Sequence, residues 1–131
     1  MTEKHSLTSN FAVINPQKKV TIEPVDASPS LYARLDENYN GFKGHELVSC
    51  HEFTEDWDSW EIHPNGDEIV VLLSGKVTFV FDLESQNESV ALTKQGDYAV
   101  VPRDVWHTAK VEEPCKVLFI TPGENTQHKQ A

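Results

Sequence analysis

From Glu46 onward, apolar and polar residues alternate in short runs, with Gly, Pro, Asn or Asp at most of the joins. A period of two marks half-buried strands. The pattern predicts strands over 46–54, 58–63, 67–73, 76–83, 88–94, 97–101, 105–112 and 115–121. Many short strands with frequent turns argue for an all-β sandwich or barrel. Val77, Phe79, Phe81, Val117 and Phe119 fall on alternating positions, as barrel-filling residues should. The run 68–73 departs from this rule. Val70 and Leu72 share a face with Glu68, while Ile69, Val71 and Leu73 occupy the other. A strand apolar on both faces is covered on both, here by the N-terminal segment or by a second subunit.

Before Glu46 the pattern changes. Residues 1–10 are polar and are expected to form a disordered tail. Residues 11–44 read as an extension made of a strand and a short helix. Lys19–Val25 alternates weakly and predicts an edge strand, and Ser28–Glu37 opens on a capping Ser with Leu31 and Leu35 four apart, which predicts the helix. The barrel is expected over 45–122, followed by a polar tail over 123–131.

Composition narrows the class. A chain of 131 residues, 38% hydrophobic, supports one domain with one core. There is no run of eighteen apolar residues and no basic start followed by an apolar stretch, so neither a membrane span nor a secretory signal is expected, and the cytoplasm is the default location. Net charge is −10, and residues 45–90 carry eleven acids against the single base Lys76. The flanking stretches are balanced, five of each sign in 1–44 and five of each in 91–131. Nucleic acid is disfavoured as a partner, because phosphate contact needs clustered Lys and Arg. The acids around Glu52–Asp58 read as a solvated loop. Cys50 and Cys115 both lie in apolar runs and are expected to be reduced core residues.

Candidate chemistry concentrates in two segments. Trp60–Gly75 holds Glu61 and His63 two apart and Glu68 five further on, and Gly96–His107 holds Pro102 and His107. Residues two apart on a strand project to one face, so Glu61 and His63 point together. Pro64-Asn65-Gly66-Asp67 reads as a tight turn that returns Glu68 beside them. Imidazoles mixed with carboxylates suit Fe, Mn, Ni or Zn better than Ca or Mg, which prefer oxygen donors.

These segments resemble the paired motifs of the cupin superfamily, in which motif one reads roughly G-x5-H-x-H-x3,4-E-x6-G and motif two G-x5-P-x-G-x2-H-x3-N. His63, Glu68 and Gly75 match the first, and Gly96, Pro102 and His107 match the second, over roughly residues 60–112. The departures are Glu61 at the first motif-one His, Asp104 at the motif-two Gly and Val111 at its closing Asn. The resemblance implies a double-stranded β-helix, or jelly-roll barrel, with the short N-terminal helix outside it. It also implies a divalent transition metal held by Glu61, His63, Glu68 and His107. Glu61 is the departure, and it is either a fourth ligand, a general base, or the mark of a barrel that has lost its metal. A homodimer is a further implication, since small cupins commonly pair.

Several residues carry a plainer reading. His51 is expected at the surface or in the core, with the same cavity as its alternative; His45 is expected in solvent, and His5 and His128 in tails without a role. Trp60 and Trp106 neighbour candidate ligands and should point to the opposite face, packing outside the barrel or at a dimer contact, while Trp57 flanks the same region. Tyr98, Phe79 and Phe119 read as core filling before pocket lining. Arg103 reads as a solvated turn residue before a carboxylate anchor. The implied function is a metal-binding cupin acting on a small organic acid as a dioxygenase or isomerase. The alternatives are a non-enzymatic small-molecule sensor and a metal-free, epimerase-like barrel with His as base.

Overall fold

In the computed structural model, which describes residues 3–26 and 28–131, nine strands form a single connected sheet curled into a barrel, and one short α-helix and a 3-10 turn at Asn40–Phe42 pack against its N-terminal strands. The strands are β1 (Asn10–Ile14), β2 (Val20–Pro24), β3 (Glu46–Phe53), β4 (Ser59–Ile62), β5 (Glu68–Leu83), β6 (Gln86–Leu92), β7 (Tyr98–Val101), β8 (Trp106–Thr121) and β9 (Gln127–Gln130). The helix α1 spans Leu31–Asn38. All strand pairs are antiparallel, in the order β2-β1-β3-β8-β4-β9, with β5 joining β6, β7 and β8.

Two expected breaks turn out to be bends. The predicted strands 67–73 and 76–83 are one strand, β5, and 105–112 and 115–121 are one strand, β8. β5 pairs with β8 along nearly its whole length, with register shifts between Leu72 and Val77. Gly75 sits at this bend with φ +80°, and a Cβ there would lie 2.1 Å from the Pro114 carbonyl oxygen. Bulges of this kind bend a strand without ending it, so Ser74-Gly75 and Pro114 look like turns in sequence and act as hinges in a continuous ladder.

The barrel is filled by alternate residues of these strands, among them Val70, Leu72, Val77, Phe79, Val117 and Phe119. A second core lies in the N-terminal extension, where Phe11 and Val13 of β1 meet Leu31 and Leu35 of α1, Phe42 and Leu47. β1 was not anticipated as a strand; it hairpins with β2 and extends the sheet beside β3. The helix begins three residues later than Ser28, whose hydroxyl pairs with that of Ser30 instead of capping a helical turn.

Both expected tails need correction. Residues 1 and 2 lie outside the described residues, but Ser6–Asn10 forms a turn closed by Asn10 N–H donating to Ser6 O at 2.8 Å, and Asn10 already belongs to β1. The segment from Gly123 is polar as expected, yet Gln127–Gln130 forms β9 and pairs with β4. The free edge of β4 supplies backbone partners that need no apolar residue. Lys129 then lies 4.5 Å above the Trp106 ring and 5.8 Å from that of Trp60, so these tryptophans pack on the outside of the barrel.

The outer face of β5 remains apolar. Val48, Ile120, Ile69 and Val100 form one cross-strand row over β3, β8, β5 and β7, and Cys50, Leu118, Val71 and Tyr98 form the next. The N-terminal hairpin continues the sheet edge to edge at Ala12–Val48. Tyr98 and Val100 are 63% and 47% exposed. Among the described residues no helix is long and apolar enough to cross a membrane.

Candidate metal centre

Three strands bring the candidate ligands together. β4 lies between β8 and β9, so Glu61 faces His107 on one side and His128 on the other. His63 follows the end of β4, the Pro64–Asp67 turn reverses the chain, and Glu68 opens β5. The two motif turns are pinned to each other: Arg103 N–H donates to Asp67 Oδ1 at 2.7 Å, the Arg103 guanidinium donates to Asn65 O at 2.9 Å, and Asp104 N–H donates to His63 O at 3.1 Å. Asp104 has φ +62°, a left-handed conformation that Asp tolerates better than most residues, which accounts for Asp standing at the Gly position of the motif. Arg103 is exposed and one arm of its guanidinium is bonded to this turn, as the solvated-turn reading expects.

Glu61, His63, Glu68 and His107 each offer one donor atom, and these four atoms lie within 4.8 Å of one another. His63 Nε2 is 3.1 Å from Glu61 Oε1 and 3.3 Å from Glu68 Oε2, and His107 Nε2 is 3.3 Å from Glu68 Oε1. His63, Glu68 and His107 are almost wholly buried, while the Glu61 side chain is 24% exposed. The distances are those of ion pairs, but His63 Nε2, Glu68 Oε1 and His107 Nε2 have no hydrogen-bond partner. Buried polar atoms without partners are costly. Two imidazole nitrogens and two carboxylates converging on one point fit a divalent metal, which would satisfy all of them at once.

Neighbouring hydroxyls orient the donors. Thr121 Oγ1 donates to Glu68 Oε2 at 2.6 Å, leaving Oε1 toward His107. His63 Nδ1 is 2.8 Å from Thr126 Oγ1, which itself donates to Gly123 O at 3.0 Å. His128 Nε2 is 3.1 Å from Glu61 Oε2. Sequence alone missed Thr126 and His128, because they belong to a segment with no apolar periodicity.

Charge follows this geometry. Burial works against the His63 imidazolium, but Glu61 and Glu68 outweigh it and raise its pKa to about 9. Burial alone would raise the Glu61 carboxyl, yet His128, His63 and His107 together hold it well below the ordinary carboxylate range. Glu68 is lowered in the same way, against its burial, by His107 and His63.

The cluster opens into a cavity of about 1060 Å³. Phe53, Trp57 and Phe119 form one wall, their rings 5.5–6.2 Å apart. His51 also lines it, hydrogen-bonded through Nε2 to Tyr32 Oη at 2.6 Å, so the cavity alternative for His51 is the one the fold adopts. Burial lowers the His51 pKa, partly offset by Glu61. Phe79 is fully buried core, whereas Tyr98 lies on the outer face.

The family model described as a cupin domain matches residues 54–121, just over half of the chain. The chain belongs to the cupin family. Its fold is similar to that of several solved cupins. The Bacillus subtilis oxalate decarboxylase, a protein with Mn(II) centres, aligns at 18% identity and TM-score 0.52, over 65% of this chain and 23% of that one. The hydroquinone 1,2-dioxygenase of Sphingomonas sp. TTNP3 aligns at 14% identity and TM-score 0.50, over 58% of each chain. The hydroxypropylphosphonic acid epoxidase of S. wedmorenis aligns at 15% identity and TM-score 0.50, over 58% of this chain and 43% of that one. This cupin therefore spans less than two thirds of the length of each of these three proteins, and the likeness concerns the fold. No curated protein matches it.

Proposed function

We propose that this cupin holds a divalent transition metal through Glu61, His63, Glu68 and His107, and that the metal-bound barrel transforms a small organic molecule as a dioxygenase or isomerase. The observation that supports this most directly is the convergence of four donor atoms within 4.8 Å, three of them from buried side chains and without hydrogen-bond partners. The metal would supply Lewis acidity toward an oxygen donor and, if Fe or Mn, redox chemistry. Proteins of similar fold include one with Mn(II) centres and a hydroquinone 1,2-dioxygenase, which supports the metal and the dioxygenase reading.

The remaining steps fall to the chain itself. Glu61 is held too acidic to be an efficient base near neutral pH, which suits it to ligation rather than proton abstraction. His51 is hydrogen-bonded to Tyr32 on the cavity wall, so this pair is better placed to accept and pass on a proton. Phe53, Trp57 and Phe119 bind an apolar or aromatic body and exclude water. Asp36, Glu55, Asp56, Asp58 and Glu124 line the cavity against Lys43 alone. With two ligand carboxylates already balancing a divalent ion, this rim favours a neutral or cationic substrate over an organic acid. Arg103, whose alternative reading is a carboxylate anchor, is not among the lining residues.

Reconstitution of metal-stripped protein tests the reaction class. Dioxygen consumption that requires added Fe(II) and an aryl substrate supports a dioxygenase, and metal-dependent turnover without dioxygen uptake supports an isomerase. Full metal loading without turnover of neutral, cationic or acidic aryl compounds counts against both. The two apolar rows on the outer sheet face support a homodimer as the working assembly.

A further inference from the structure

Thr126 lies just before β9 and His128 is the second residue of that strand, and both side chains reach the ligand cluster. Each touches a different candidate ligand. We propose that the C-terminal segment 123–131 is part of the metal centre, with Thr126 and His128 as positioning residues that hold His63 and Glu61 in ligand geometry. This rests on the metal-binding reading above.

The case for Thr126 is one of proton direction. Its hydroxyl proton is committed to Gly123 O at 3.0 Å, so toward His63 Nδ1, at 2.8 Å, the oxygen can only accept. Nδ1 is therefore the nitrogen that keeps its proton when the ring is neutral, which leaves Nε2, facing Glu61 and Glu68, as the nitrogen free to bind a metal. The case for His128 is one of division of labour. Glu61 Oε1 is 3.1 Å from His63 Nε2, inside the cluster, and Oε2 is 3.1 Å from His128 Nε2, outside it. One oxygen is thus kept for the metal while the other is anchored. The His128 side chain is 58% exposed, so its own burial does not fix it. The β4–β9 ladder does, with Glu61 opposite His128 and Trp60 opposite Lys129. The Lys129 ammonium over the Trp106 ring at 4.5 Å, and 3.8 Å from Asp82, clamps the strand from the other face.

Co(II) titration of metal-stripped, full-length protein, read by its visible absorption bands, tests this. Thr126→Val and His128→Ala should each weaken Co(II) binding by about 10–100-fold, the usual cost of removing a partner that orients a ligand, and should alter the bands. Thr126→Ser keeps the acceptor and His128→Gln keeps a donor, so both should retain wild-type affinity and spectrum. Unchanged binding in Thr126→Val and His128→Ala overturns the proposal. So does an equal loss in the two conservative variants, which would reduce the effect to strand stability. A second reading needs no variant: in Zn(II)-loaded wild type, ¹⁵N NMR should find His63 protonated at Nδ1, and coordination through Nδ1 would contradict the assigned role. Wild type that binds neither ion would overturn the metal-binding reading itself, a result distinct from wild-type binding that the variants leave untouched.

Discussion

At the scale of single residues, His63 is where fold and chemistry meet. In the metal-free protein its pKa is raised from 6.5 to about 9. A raised imidazole pKa contributes stability that is fully present below pH 6.5 and is lost as pH rises through about 9. A shift of this size corresponds to roughly 3 kcal/mol. Glu61 and Glu68 shift downward, so their share is present above about pH 4.5 and is lost as pH falls. Urea denaturation of the metal-free protein should therefore show greatest stability at mildly acidic to neutral pH, with an alkaline decline that His63→Gln abolishes. A metal displaces the same proton, so loading at pH 7 should release close to one proton per ion, measurable in weakly buffered solution. His63, Glu68 and His107 were legible in sequence because each sits in a local spacing with a turn beside it. Thr126 and His128 were not, because the polar segment that carries them has no periodic signal and their contacts to His63 and Glu61 span more than sixty residues.

Among the elements, the long strands β5 and β8 decide the shape. Their alternating interior residues were readable, and so was the all-β class. Their continuity was not, because Ser74-Gly75 and Pro114 carry the same residue signals as true turns. The bend depends on close approach, with a Cβ at Gly75 calculated to fall 2.1 Å from Pro114 O at a φ of +80°. Gly75→Ala should therefore cost about 3 kcal/mol by combining left-handed strain with a backbone clash. A chemical denaturation midpoint near that of wild type would mean that the hinge relaxes easily. β1 escaped notice for another reason: only Phe11 and Val13 of its five residues are buried, too short an alternation to stand out.

For the whole molecule, the outer sheet face and the barrel interior make separate claims. The two apolar rows centred on Ile69 and Val71 end in the exposed Tyr98 and Val100. Light scattering should give a dimer of 14.8 kDa chains. Tyr98→Glu with Val100→Lys should yield a folded monomer, since neither side chain fills the core. A monomeric wild type would mean that this face serves something other than self-association.

The most direct test of the central claim is elemental analysis of tag-free protein that has never met a nickel column, alongside His63→Ala and His107→Ala. About one Fe, Mn, Ni or Zn per chain in wild type, lost in both variants, is the predicted result. Wild type that stays metal-free after reconstitution, or variants that keep the full complement, would contradict it.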